Sequence, residues 1–350
     1  HKSPEITLCL IILYRKAELS MAQNHSGNRL LHAVFPFPGD AALTWVRKII
    51  AILSVCAILA SSGVLIYRVA QPQAQQGEKP AQAQADPILS ALKTKYPGST
   101  PPEGMQEKFK HLYAVNNDVV GWLTIPNTRT DTPILHATKA QGGNDYYLRY
   151  NYYHKYTEFG DPFMDYRNNE KELSRNTILY GHNLQGDSLD NGMCFTGVMG
   201  YHTLEGYRNA PVITFNTLYK DYKWKVIGAF VATTKAKDDN GYVFNYIYPD
   251  MNDEKFMQYI DEVRQRSLFT TDVDVQKDDK VLTLSTCTYE LGTSIDTRFV
   301  VVARMVRDGE SEAVDVSKAK LNPNPHYPQA WYDRHGKTNP YKNAERWYPF

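Results

Sequence analysis

Residues 281–287 read Val-Leu-Thr-Leu-Ser-Thr-Cys, a run of β-formers that ends on a cysteine. Eleven residues after Cys287, Arg298 opens a second such run, Phe-Val-Val-Val-Ala at 299–303. Far upstream, Thr-Ile-Leu-Tyr at 177–180 runs through Gly181 into His182. A thiol, an imidazole and a guanidinium gathered at strand ends of one sheet point to acyl transfer through a thioester. The thiolate is the working nucleophile, and a free cysteine with a pKa of about 8.5 is mostly thiol at neutral pH. Nearby positive charge favours the thiolate, and both Arg298 and a protonated His182 could supply it. Arg298 stays charged and donates in a rigid fork, which suits it to hold a scissile carbonyl oxygen as it becomes an oxyanion. His182 is suited to protonate a leaving amine and then take a proton from an incoming one.

Each residue alone has a plainer reading. A cysteine at a strand end is usually core filler, a histidine after glycine a turn, and an arginine at a strand start a solvated charge. The functional reading rests on the three together. No HxxxH or CxxC spacing appears, so neither a metal site nor a cofactor is expected.

The chain has 350 residues, enough for one or two domains. A net charge of +1 gives no argument for a nucleic-acid partner. With 25 tyrosines and 22% charged residues, a folded, surface-working domain fits better than a disordered chain. The cysteines are Cys9, Cys56, Cys194 and Cys287. A bridge between Cys194 and Cys287 would silence a nucleophile, so both are expected to be free, and Cys194 structural.

Segmental composition divides the chain. Residues 1–48 read as a cytoplasmic segment, with Met21 the expected natural start and 1–20 an over-long reading frame; a genuine extension is the alternative. Residues 49–69 are almost wholly apolar. Their uncharged core, 49–67, has 19 residues, against the ~20 that span a bilayer as a helix. Arg47 and Lys48 precede it, and Trp45 and Tyr67 stand near its ends. This predicts a single-pass anchor in the cell membrane, N-terminus cytoplasmic and the bulk of the chain outside. A cleaved signal peptide is the competing reading. Residues 70–86, rich in Gln, Ala, Pro and Gly, read as a flexible linker. A catalytic domain is expected over 87–310 and a tail over 311–350.

Helical spacing predicts helices near 87–95 and 103–117. From 119 the pattern turns mainly β, with strands expected at 119–125, 133–136, 160–165, 176–181, 211–215, 222–233, 280–286 and 297–306. Eight strands in one region suggest a closed barrel, which also removes sheet edges. One late helix is expected over 252–268, capped by Asn252, with Phe256, Met257, Ile260 and Val263 on one face. A short helical turn is expected near 192–200. The stretch 317–350 holds five prolines and reads as a loosely packed tail. The alternative is that Trp331, Tyr332, Trp347 and Tyr348 fold back onto the barrel or contact the cell wall.

Thr283-Leu284-Ser285-Thr286-Cys287, followed by Arg298-Phe299-Val300-Val301-Val302-Ala303, resembles the active-site strands of sortases, membrane-anchored transpeptidases of Gram-positive bacteria. Asn176-Thr177-Ile178-Leu179-Tyr180-Gly181-His182-Asn183 resembles the sortase histidine segment. The stretches Gly121-Trp122-Leu123-Thr124-Ile125, Asn127-Thr128, Asn144-Asp145-Tyr146-Tyr147-Leu148 and Phe163-Met164-Asp165-Tyr166-Arg167-Asn168 are similar to class B members. So is a helix in the long loop before the cysteine strand. The resemblance covers roughly 87–307. It implies an eight-stranded sortase-type barrel with N-terminal helices. It implies Cys287 as nucleophile, His182 as general acid and base, and Arg298 as oxyanion donor. Asn144, Leu148, Ser285, Thr286, Tyr246 and Ile247 are implied as substrate contacts.

The implied reaction cleaves a sorting signal of the Asn-Pro-x-Thr-Gly/Asn kind on a secreted protein and joins that protein to a peptidoglycan precursor amine. The alternatives are a pilus-building class B sortase that uses a pilin lysine, and a surface cysteine protease that only hydrolyses. Thr288 follows the cysteine where some relatives carry an acidic residue.

Overall fold

The computed structural model describes residues 100–183 and 195–350, together with Thr44, Val46, Lys48 and Ile49. The chain divides into two compact units, His1–Gln84 and Ala85–Phe350. In the first, the four described positions are helical. The expected membrane span at 49–69, the helix at 87–95 and Cys194 fall almost entirely outside the described residues. Among those described, no helix is long and apolar enough to cross a membrane.

The second unit is a closed barrel, as the strand pattern predicts. A short 3-10 turn, Glu107–Phe109, leads into α1 (Lys110–Val115), so the expected helix at 103–117 is present in its middle only. Then come β1 (Val119–Thr124), β2 (Asp131–Leu135), β3 (Phe163–Met164) and β4 (Asn176–Tyr180). A 3-10 stretch, Phe195–His202, and α2 (Leu204–Asn209) follow, then β5 (Val212–Thr217) and β6 (Lys223–Thr233). The long loop carries α3 (Asp253–Arg266) before β7 (Phe269–Thr270), β8 (Val281–Thr288) and β9 (Thr297–Met305). Around the barrel the order is β1-β2-β3-β4-β8-β9-β6-β5. The strand expected over 160–165 shrinks to two residues, because Gly160, Asp161 and Pro162 lie in loop. Pro162 has no N–H to give a ladder.

Two cores lie on the two faces of β6, β8 and β9. Strand side chains alternate faces. Leu282 and Leu284 of β8, with Phe299, Val301 and Ala303 of β9, fill the barrel interior beside Leu123, Phe215 and Trp224. Val281, Val300 and Val302 face outward and are covered by Phe256, Tyr259, Ile260 and Val263 of α3. Both faces are therefore buried, which explains why these strands read as near-continuous apolar runs. The helix is fixed at its start by Asn252, whose side chain accepts the Lys255 N–H at 2.8 Å, as its sequence predicts. A register shift between Val226 and Gly228 marks a bulge in β6. The extra residue flips the alternation, so Val226 and then Ala229 both face inward. Gly228 sits where the end of α3 presses in: a β-carbon there would stand 2.9 Å from Ser267 Oγ.

The C-terminal stretch is not loosely packed, which corrects the sequence expectation. β10 (Lys320–Leu321) pairs antiparallel with β7, α4 (Gln329–Arg334) follows, and Trp347 is buried in the outer core. The prolines reflect irregular backbone, while single aromatic side chains supply the burial. The alternative of aromatics folding back holds in part: Tyr332 and Trp347 are buried, while Tyr348 is exposed.

Candidate active site

The site is built at the ends of β4, β8 and β9, on the outer face. Cys287 and Arg298 are register partners in the antiparallel β8–β9 ladder. Directly opposed residues share a face, with β-carbons about 5 Å apart. The parallel pairing of β4 with β8 sets Tyr180 against Ser285. His182 and Cys287 each lie two residues further on, and the ladder continues that way through the Gly181 N–H donating to the Ser285 carbonyl at 3.3 Å. Asn183 then donates from its amide to the Cys287 carbonyl at 3.0 Å. The three residues singled out for chemistry thus converge on one rim. Cys287 is a free thiol and partly exposed.

The electrostatics agree with that placement. His182 Nε2 lies 3.2 Å from the Leu148 carbonyl oxygen. A carbonyl only accepts, so Nε2 carries the proton of the neutral ring and Nδ1 is its basic nitrogen. Burial lowers the His182 pKa, and the charges of Arg149 and Arg298 push the same way against the Leu148 carbonyl. The imidazole is therefore neutral at neutral pH, and Arg298 rather than His182 is the standing cation beside the thiol. For Arg298, burial opposes the charge, but Cys287 and Asp296 outweigh it and raise its pKa.

Asp296 is a residue that sequence reasoning passed over. Its carboxylate is paired with Arg298 Nη1 and accepts the Thr234 hydroxyl at 2.6 Å. Burial works against its ionised form, and the Thr234 and Arg298 hydrogen bonds overcome that and hold its pKa below the usual carboxylate range. Arg298 Nη1 also donates to the Thr297 carbonyl at 3.2 Å. Among the described residues both bonds of the guanidinium use Nη1, so Nε and Nη2 are left to face a ligand. Fork-shaped donors of that kind suit a developing oxyanion.

The expected substrate contacts fall into different settings. Ser285 shares the Cys287 face, but it is buried and its hydroxyl is hydrogen-bonded to Tyr246 Oη at 3.0 Å. Tyr246 is itself buried and belongs to the outer core. Thr286 cannot line the same groove as Ser285, because adjacent strand residues point to opposite faces. It is 1% exposed and donates to the Gly181 carbonyl at 2.8 Å, locking β8 to the end of β4. Period-two alternation, already visible in the sequence, was the signal that separates the two. Asn144, Leu148 and Ile247 are partly exposed.

A buried carboxylate joins the walls of this site. Asp165, 0% exposed, accepts from the Asn144 amide at 3.0 Å, from Arg167 Nη2 at 2.7 Å and from the Tyr180 hydroxyl at 2.8 Å. Burial opposes its charge, but the bonds from Arg167, Tyr180 and Asn144 prevail and lower its pKa. Arg167 passes the link on, donating to the Ile247 carbonyl at 2.9 Å. Asn176 does similar work. Its amide donates to the Tyr246 and Tyr248 carbonyls at 2.9 and 3.1 Å, and its oxygen accepts the Thr283 hydroxyl at 2.7 Å. Asp165, Arg167 and Asn176 all lie in the motifs quoted above, but their partners are distant in sequence and become visible only in the fold.

Residues 123–306 match the family described as Sortase domain. A Staphylococcus aureus protein named Sortase B is 33% identical over 206 residues, 59% of this chain and 77% of its own length. A Listeria monocytogenes protein named Sortase B is 32% identical over 201 residues, 57% of this chain and 75% of its own. The solved Staphylococcus aureus sortase B–substrate complex superposes with a TM-score of 0.50 at 30% identity, covering 63% of this chain and 91% of that one. With the barrel and the cysteine rim in place, these likenesses settle the family: the chain belongs to the sortases, cysteine transpeptidases, and its relatives are of class B.

Proposed function

We propose that this sortase cleaves a C-terminal sorting signal of the Asn-Pro-x-Thr-Gly/Asn kind and joins the secreted protein that bears it to a peptidoglycan precursor amine. The observation that carries the reading is the in-register pairing of Cys287 with Arg298, beside a His182 that extends the neighbouring strand. Neutral His182 takes the Cys287 proton on Nδ1 as Sγ attacks the carbonyl carbon after the threonine. Arg298 holds the oxyanion through donors left over from Asp296. The C–N bond breaks, the proton passes from His182 to the leaving amine, and a thioester remains. The acceptor amine then attacks that thioester, gives its extra proton to His182, and the thiol is restored. Asn144, Leu148 and Ile247, which are partly exposed, are proposed to face the signal, with the buried Tyr246–Ser285 pair backing the wall they form. The apolar run at 49–69, with Arg47 and Lys48 before it, supports a membrane anchor that presents the catalytic domain outside the cell.

The test is product analysis with a sorting-signal peptide and a graded series of amines. The expected result is an amide product that rises with amine concentration and disappears in Cys287→Ala. Free acid alone under every amine would replace transpeptidation with hydrolysis. A lysine side chain preferred over peptidoglycan-type amines would favour pilus assembly.

A further inference from the structure

The C-terminal segment lies beyond the residues that match the family, 123–306, yet it is packed into the wall of the site. Trp347 is 6% exposed. Its ring stands 5.6 Å from Phe244, edge to face, and 5.6 Å from Tyr259 of α3. Its indole N–H donates to the Lys255 carbonyl at 3.3 Å, and its own carbonyl accepts the Tyr242 hydroxyl at 2.8 Å. Phe244 lies 6.3 Å from Tyr246, and both rings meet Phe230 of β6. Tyr246 reaches Ser285, two residues from the nucleophile. An unbroken run of ring contacts thus leads from Trp347 to the catalytic face.

The rest of the segment grips the same region at three other points. Asn322 donates from its amide to the Ser267 carbonyl at 2.8 Å, at the end of α3. The Gln329 N–H donates to Asp239 Oδ1 at 2.9 Å, on the stretch that leads to Tyr242 and Phe244. Arg334 Nη1 donates to the Leu291 carbonyl at 3.3 Å, in the loop between Cys287 and Arg298. Cys287 itself stays partly exposed, so the segment braces the site rather than capping it.

We propose that residues 320–350 form a brace for the acyl-donor side of the site, with Trp347 as a positioning residue that holds Tyr246 and Ile247 beside Ser285 and Cys287. The proposal rests on the acyl-transfer reading above. Trp347 touches no reacting group. Loosening the wall it supports weakens the bound peptide and the transition state alike, which raises KM and leaves kcat nearly unchanged. A packing defect that merely unfolds a fraction of the enzyme does the reverse, lowering apparent kcat at constant KM.

The experiment uses the full chain with Trp347→Ala and Trp347→Phe, measured two ways. With an Asn-Pro-x-Thr-Gly peptide and an amine acceptor, Trp347→Ala is expected to raise KM by about five- to tenfold with kcat within about twofold, and Trp347→Phe to restore most of the loss. Amide hydrogen exchange at 242–248 is expected to speed up in Trp347→Ala while β1 and β2 keep the parental rate. An unchanged KM, or exchange that rises evenly across the barrel, overturns the brace. If the parent shows no turnover with any sorting peptide, the functional reading fails and the exchange pattern alone decides the brace. Should Trp347→Ala not fold, Tyr242→Phe removes one tether without a cavity. It is expected to give the same pattern on a smaller scale, and parental KM and exchange there would overturn the proposal equally.

Discussion

Arg298 and Arg304 stand six residues apart on the same outward face of β9, one opposite Cys287 and the other opposite Val281. Arg304 is fully buried. Its guanidinium donates to the Asp274 carbonyl at 3.1 Å, the Met305 carbonyl at 2.9 Å and Glu310 Oε1 at 2.8 Å, and it also pairs with Asp274 Oδ1 and Glu310 Oε2. Every N–H of that fork is in use. Arg298 is partly exposed and directs only Nη1 to protein groups among the described residues. The same residue type on the same strand thus does two jobs. Saturated donors make a structural cation; a fork anchored at one corner is available to a reaction.

That contrast predicts opposite responses to mutation. Arg304→Met should cost the most stability, about 3 kcal/mol, because it removes the buried hydrogen bonds to the Asp274 and Met305 carbonyls and to Glu310 together, although Lys225 stays on Glu310. Denaturant unfolding would measure the loss, and kcat per folded molecule should stay near parental. Arg298→Lys should do the reverse, lowering kcat by about 10²–10³-fold with an unfolding midpoint close to the parent's, since a point ammonium cannot reproduce the fork. Loss of activity in the first variant, or retained activity in the second, would dissolve the distinction.

A pH series separates the regions further. His326, in the C-terminal segment, stacks on Tyr341 at 4.2 Å, and its Nδ1 has no hydrogen-bond partner among the described residues. Burial, helped by the charge of Arg266, pushes its pKa down to about 3. Between pH 6.5 and that value the unfolded chain binds a proton that the folded chain refuses. Stability must therefore fall as pH falls, by at most about 1.4 kcal/mol per unit from this group. His326→Phe should flatten that slope in acid unfolding curves, and an unaltered slope would remove His326 from the account. The smallest effect is expected from Asp296→Asn, which keeps the shape but loosens the anchor of Arg298. Activity should drop about three- to tenfold, in line with a weakened charge-assisted hydrogen bond, and peptide turnover at saturating amine would show it.

The barrel was legible because β8 and β9 announce themselves as apolar runs. Their endpoints put Cys287 and Arg298 on the page, and the Gly-His step after β4 added His182. α3 was legible from its Asn252 cap and one apolar face. What stayed hidden depended on partners distant in sequence. Asp296 looks like any loop acid until Thr234 and Arg298 close on it, and Asp165 like any motif residue until Asn144, Tyr180 and Arg167 converge. The C-terminal segment has no periodicity to read, since it docks through scattered contacts of Asn322, Gln329, Tyr332, Arg334 and Trp347. Thr286 is a different case: alternation along β8 already placed it opposite Ser285, on the inner side.

The central claim is that Cys287 forms a thioester with the acyl donor, and mass spectrometry of the enzyme quenched during turnover with a sorting-signal peptide tests it most directly. The account predicts a chain heavier by the acyl fragment ending in threonine, with the added mass on the peptide containing Cys287, removed by an amine and absent in Cys287→Ala. Peptide cleavage by the parent with no adduct, or an adduct that persists in Cys287→Ala, would contradict it.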